Sequence, residues 1–192
     1  MHENIGLGII ISGPSGVGKG TVIKALIEKE ADLALSTSYS TRAPRGNEVN
    51  GTDYFFVSVD AFNKKIANNE FAEWALVHGN FYGTDKSVLE NIKSGKKIIF
   101  EIDVQGAKNL IKTFNSTQTN YISFFLLPPS MKELEQRLEN RGTENKKSVE
   151  IRMDNAKKEL EDSSCFNYTL VNDKIEDTTK EILSFITGKK EK

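Results

Sequence analysis

Seven residues near the start of the chain, Gly13-Pro14-Ser15-Gly16-Val17-Gly18-Lys19, constrain it more than any other stretch. They fit the pattern G-x-x-x-x-G-K, and both flanks are the ones that pattern requires. Before them runs Leu7 to Ser12, short, apolar and rich in isoleucine, which reads as a buried strand of a parallel sheet ended by Gly13-Pro14. After them, from about Gly18 to Lys29, Val22, Ile23, Leu26 and Ile27 fall on one stripe, which predicts a helix. Three glycines let backbone N–H groups turn inward around phosphate oxygens, where side chains would block the approach. The positive end of the helix adds to the attraction, and Lys19 supplies a mobile charge for β- and γ-phosphates. The expectation is a nucleoside triphosphate site at residues 13–21, Gly20 and Thr21 included.

The strand–helix rhythm continues. Ile98-Ile99-Phe100 and Phe124-Phe125-Leu126-Leu127 repeat the buried-strand pattern, each followed by a helical segment, and Ser130-x-x-Glu133 after Pro128-Pro129 predicts a capping box. This alternation implies an α/β fold with a parallel β-sheet core flanked by helices. Between about Ser36 and Ser94 the rhythm breaks. Tyr54 to Val57, Phe71 to Leu76 and Phe81-Tyr82 are short aromatic runs separated by glycine and asparagine, which predicts an inserted small mixed or antiparallel β lobe. Residues 129–162 are helical and dense in charge, which alone reads as a solvated helix pair. The reading is one domain of 192 residues: core 1–35, 95–128 and 163–192, lobe 36–94, charged helical segment 129–162.

Composition narrows the function. The net charge is −1, so no global positive field attracts nucleic acid, and phosphate binding must come from local arginines and backbone amides. A single cysteine, Cys165, excludes an internal disulfide and a multi-cysteine metal site, and reads as a half-buried thiol. His2 and His78 are too few and too far apart for a metal ligand set. Ile9-Ile10-Ile11 is far shorter than a signal core or a membrane span, so the expected location is the cytoplasm, with no membrane partner.

A second constellation is Ser38-Tyr39-Ser40-Thr41-Arg42-Ala43-Pro44-Arg45, followed by Glu48, Gly51, Asp53 and Tyr54. Two arginines three apart around a proline form a pair of forks suited to a phosphate monoester, and Tyr54 could add a hydroxyl donor. The spacing alone does not separate such a clamp from a surface arginine pair. Glu101 and Asp103 follow a buried strand, where a magnesium or nucleotide contact is expected, although Asp103 equally suits the N-cap of the next helix.

Together these stretches resemble the guanylate kinase family. The likeness continues through Asn69-Glu70-Phe71-Ala72-Glu73-Trp74-Ala75, Gly79 to Thr84, Glu101-Ile102-Asp103-Val104-Gln105-Gly106 and Arg137 to Thr143, nearly the whole chain in the right order. The G-K-G-T form of the loop likewise resembles nucleoside monophosphate kinases more than GTPases. The resemblance implies ATP and GMP as substrates, Mg²⁺ accompanying ATP, and a monomer or homodimer. By it, Arg42, Arg45, Tyr54 and Tyr82 hold the GMP phosphate; Ser38, Glu73 and Thr84 read guanine, with Thr84 donating to O6; and Asp103 joins the acceptor site. It also implies that residues 129–162 form a lid whose Arg137, Arg141 and Arg152 close over the phosphates, and that Asn172 touches adenine. Lys19, Arg42, Arg141 and Arg152 are the expected catalytic set.

The base-reading roles make chemical sense. Guanine presents N1–H and a 2-amino group as adjacent donors that one carboxylate accepts in parallel. Adenine offers an acceptor at N1, so a buried Glu73 would be mispaired, enough for about 10⁴-fold discrimination. Read without the family, a glutamate beside Trp74 is more commonly an ordinary surface residue. Two departures stand out. Gly20 replaces the usual Ser/Thr after the lysine, so Mg²⁺ is expected to be held largely through water and phosphates. Asn47 stands where the family has glycine; asparagine tolerates the left-handed conformation that glycine would take there, and Gly46 beside it could also relieve the turn.

Overall fold

The computed structural model describes residues 5–77, 79–140 and 146–188. Arg141, assigned to the lid by resemblance, lies outside them, as does His78.

The first strand, β1 (Leu7–Ser12), is buried over nearly its whole length and leads through the glycine loop into α1 (Lys19–Lys29). Gly18 caps α1, so the helix begins on the lysine itself. Val22, Ile23 and Leu26 form its buried stripe. A five-stranded parallel sheet has the order β2 (Leu33–Leu35), β7 (Lys97–Glu101), β1, β8 (Tyr121–Leu127), β9 (Tyr168–Val171). Strand β8 pairs β9 in parallel, Phe124 opposite Tyr168 through Leu127 opposite Val171.

The aromatic runs form a second sheet of four strands, ordered β4 (Phe55–Phe56), β3 (Tyr39–Ser40), β6 (Asn80–Asp85), β5 (Phe71–Val77). It is mixed: β3 runs antiparallel to β6 and parallel to β4. The helices α2 (Val59–Ala67) and α3 (Ser87–Lys93) belong to the same stretch. Further along are α4 (Val104–Ser116), α5 (Met131–Glu139), α6 (Lys146–Glu161) and α7 (Ile175–Thr187).

The chain separates into two compact units. One joins the second sheet to most of α4 and comprises residues 1–8, Ala34–Ile98 and Gln105–Tyr121. Its centre is Phe62, fully buried, whose ring lies 4.5 Å from Phe71 and 5.4 Å from Phe81. The other comprises Ile9–Leu33, Ile99–Val104 and residues 122–192. In it, Ile9-Ile10-Ile11 and Phe124-Phe125-Leu126 are fully buried, as aliphatic and aromatic runs of a central strand should be. In this second unit the two charged helices close a small core of their own, with Leu134 and Leu138 of α5 against Val149 and Ala156 of α6.

Three local expectations change. Ser130 caps α5, its Oγ accepting from the Glu133 N–H at 3.1 Å. The Glu133 carboxylate does not complete the box; it pairs with Arg137 at 2.6 Å. Cys165 is exposed, not half-buried. It ends the short 3-10 turn Asp162–Cys165, which directs the next residue, Phe166, inward onto Phe125 at 5.2 Å and turns the thiol out. At the turn after Arg45 the left-handed conformation falls on Gly46 (φ 51°), so Asn47 carries no such demand.

Candidate active site

The residues expected to hold a triphosphate lie on β1, the loop and α1. Gly13 and Gly18 have φ of 139° and 100°, where other residues are strained. A Cβ would also meet the Leu126 carbonyl at 2.4 Å from Gly13 and the Asn172 amide at 2.6 Å from Gly18. The Lys19 ammonium reaches back over the loop to the carbonyls of Gly13 (2.7 Å) and Pro14 (3.2 Å). It therefore lies across the loop, where the phosphates of a bound nucleotide are expected.

Three later residues brace this loop. Arg152 of α6 donates to Ser15 Oγ at 2.7 Å. Arg137 of α5 donates to the carbonyls of Val17 (3.3 Å) and Asn172 (3.2 Å) and pairs with Glu133. Asn172, buried after β9, donates its amide to the Val17 carbonyl at 2.8 Å. Its Oδ1 is buried without a hydrogen-bond partner. Arg137 and Arg152 thus both reach the loop. Thr21 is exposed on the first turn of α1.

Carboxylates crowd the same half. A Cβ on Gly20 would lie 3.5 Å from Glu101 Oε2 and 3.6 Å from Oε1, so Glu101 flanks the position that carries a hydroxyl in other loops of this kind. Glu159, which the sequence reading did not single out, is pushed up to about 6, chiefly by burial; Lys19 opposes the shift, while Asp103 and Asp162 add to it. Among the described residues no group of three or more His, Cys, Asp or Glu converges to hold a metal.

The residues expected to hold a monophosphate belong to the other unit. Arg42 is buried, and its guanidinium lies over the rings of Tyr54 (4.9 Å) and Phe56 (5.4 Å). The rings of Tyr54 and Tyr82 meet edge-on at 6.1 Å. Arg42, Tyr54 and Tyr82 therefore converge, while Arg45 sits exposed on the loop beyond. Ser38, half-buried ahead of β3, accepts from the Phe55 N–H through its carbonyl. The residue missed by sequence reasoning here is Glu48. It takes Arg42 in a two-pronged ion pair at 2.6 and 2.7 Å and accepts from the Arg45 backbone N–H at 2.7 Å. Its carboxyl is held below the usual range by the Arg42 hydrogen bond. Its only sequence signal was its place in the quoted motif.

Strand β5 resolves the reading of Glu73. Its pleat buries Glu73 (7% exposed) and turns Trp74 out (40%), the reverse of what polarity would dictate. Thr84, 1% exposed on β6, donates its hydroxyl to Glu73 Oε1 at 2.7 Å. A threonine hydroxyl has one hydrogen. In this structure it points at Glu73, so Thr84 orients the carboxylate. A cavity of about 380 Å³ is lined by Phe71, Ala72, Glu73, Trp74, Gln105 and Asn109.

The profile of the guanylate kinase family matches residues 7–189. The chain belongs to the guanylate kinase family. A guanylate kinase from Clostridium perfringens is 44% identical over 98% of this chain and 86% of the relative. One from Trichodesmium erythraeum is 45% identical over 91% of this chain and 92% of the relative. Among solved structures, a guanylate kinase from Anaplasma phagocytophilum superposes with a TM-score of 0.78 at 30% identity, covering 98% of this chain and 88% of that one. A gluconokinase from Sinorhizobium meliloti is similar in fold alone, with a TM-score of 0.53 at 16% identity over 96% of this chain and 93% of that one. Among the described residues no helix is long and apolar enough to cross a membrane.

Proposed function

We propose that this member of the guanylate kinase family transfers the γ-phosphoryl group of ATP directly to GMP, with the loop unit holding the donor and the lobe unit the acceptor. The observation that carries the acceptor assignment is the buried Glu73, oriented by Thr84. A desolvated carboxylate suits the N1–H and 2-amino donors of guanine and disfavours adenine.

Arg42, Arg45, Tyr54 and Tyr82 supply donors for the acceptor phosphate. Ser38 is assigned with them as a nucleoside contact. On the donor side, the amides of residues 13–20 and the Lys19 ammonium hold the triphosphate. Thr21, on the first turn of α1, completes this nucleotide-binding stretch. The orphaned Oδ1 of Asn172 supports its assignment to adenine, whose 6-amino group is a donor. Arg137, Arg152 and Arg141 bring positive charge to the phosphates.

A phosphate monoester is already a nucleophile, so no covalent enzyme intermediate and no dedicated base are needed; positioning and charge neutralisation carry the catalysis. Glu101 beside Gly20, with Asp103, would hold the hydration shell of Mg²⁺ that arrives with ATP. That ion neutralises phosphate charge when bound. The carboxylate flanking a residue without a hydroxyl fits this outer role.

The test is a coupled ADP-release assay with Mg-ATP and GMP, AMP, CMP or UMP in turn. Turnover confined to GMP is expected, and equal turnover with AMP overturns the assignment of Glu73.

A further inference from the structure

Arg42 cannot present its whole guanidinium to a ligand. A guanidinium has five N–H donors in a fixed plane. Three are committed: Nη1 donates to the Ala43 carbonyl at 2.9 Å and to Glu48 Oε2 at 2.6 Å, and Nη2 donates to Glu48 Oε1 at 2.7 Å. Its face is covered by Tyr54 and Phe56. What remains is one edge, Nε–H and the second Nη2–H, for which no described residue supplies an acceptor. Two parallel donors on one edge match two oxygens of a phosphate.

Glu48 is itself held. Its Oε2 accepts from the Arg45 N–H at 2.7 Å, and its own N–H donates to the Arg45 carbonyl at 3.0 Å, so a tight turn returns it to Arg42. The Arg42 side chain is only 8% exposed and that of Glu48 23%, which keeps the pair from being dissolved by solvent.

We propose that Glu48 is a positioning residue of the acceptor site: it clamps Arg42 end-on so that a single two-donor edge remains for the 5′-monophosphate. This rests on the assignment of the lobe to GMP. The pair is retained when the phosphate binds, because the phosphate uses a different edge of the guanidinium. The clamp also lowers the local charge. Arg42 and Glu48 sum to zero, leaving Arg45 as the net cation among these three and limiting the pull on anions other than a correctly placed monoester.

The opposite possibility, that Glu48 is a stand-in anion displaced by the phosphate, predicts the opposite sign. Glu48→Gln and Glu48→Ala are compared with the full-length wild type by calorimetric titration with GMP, with guanosine and with ATP, and by steady-state kinetics. Positioning predicts that both variants weaken GMP about 10- to 100-fold, Glu48→Ala more than Glu48→Gln, while guanosine and ATP affinities stay within about twofold. The rise should appear in KM for GMP ahead of any fall in kcat, and Glu48→Asp should recover part of it. Tighter GMP binding in Glu48→Ala, or affinity unchanged in both variants, overturns the proposal. If the variants unfold, sulfate competition against GMP in Glu48→Asp decides: a shorter carboxylate that leaves both affinities at the wild-type level overturns it equally. Wild-type protein that binds no GMP refutes instead the assignment on which it rests.

Discussion

Glu73 and Trp74 are neighbours whose environments are exchanged relative to their polarity, and in the proposed function the buried carboxylate carries the selectivity. Replacing Glu73 by Gln puts an amide donor against the donors of guanine. The expected loss in kcat/KM for GMP is about 10²- to 10³-fold, or about 3–4 kcal/mol, measured by steady-state kinetics; a loss below tenfold would show that the carboxylate does not read the base. Gly18 is constrained in another way. With φ at 100° and the Asn172 amide 2.6 Å from a built Cβ, Gly18→Ala should destabilise the chain by about 1–3 kcal/mol in urea unfolding. The glycines of the loop were legible in the sequence because their spacing is the motif. Glu48 was not, because its importance lies in which edge of Arg42 it occupies, and that is geometry without a periodic signature.

At the level of elements, the long buried strands and the amphipathic helices announced themselves, since period and burial coincide in β1, α1, β8 and α5. Strands of two or three residues, β2, β3 and β4, carry no period to read and owe their conformation to the partners beside them. The charged stretch 129–162 hid a fully buried pair, Leu134 and Leu138. Leu138 Cδ2 comes within 2.8 Å of a Cβ built on Gly16, so α5 packs directly on the phosphate loop. Leu138→Ala should therefore cost about 2–5 kcal/mol in unfolding and also weaken ATP binding in calorimetry. Loss of stability with unchanged ATP affinity would separate α5 from the loop.

For the whole molecule, Glu159 links stability to pH. Its carboxyl is raised from 4.5 to about 6 by burial, against the opposing charge of Lys19 and with Asp103 and Asp162 adding to the shift. Below the unfolded value the group is neutral in folded and unfolded chains alike, so burial costs nothing. As pH rises through about 6 the folded chain must carry the ionised form, and that contribution to stability is lost. Glu159→Gln should melt at a higher temperature than the wild type at about pH 7.5, and the difference should close as pH falls below about 4.5, by thermal denaturation followed across that range. A difference that does not change with pH would deny Glu159 this role.

Strand β5 ends the second sheet, and its outward carbonyls at Ala72 and Trp74 accept from Thr113 Oγ1 (2.7 Å) and Asn109 Nδ2 (3.1 Å) of α4. Beside them Trp74 and Leu76 are exposed. A bare border strand with large apolar side chains is a template on which another copy can lengthen the sheet. Two polar side chains of a helix occupy the rungs such a copy would need. The same contacts that hold α4 against the strand carrying Glu73 thus guard the protein against self-templated clumping at high concentration.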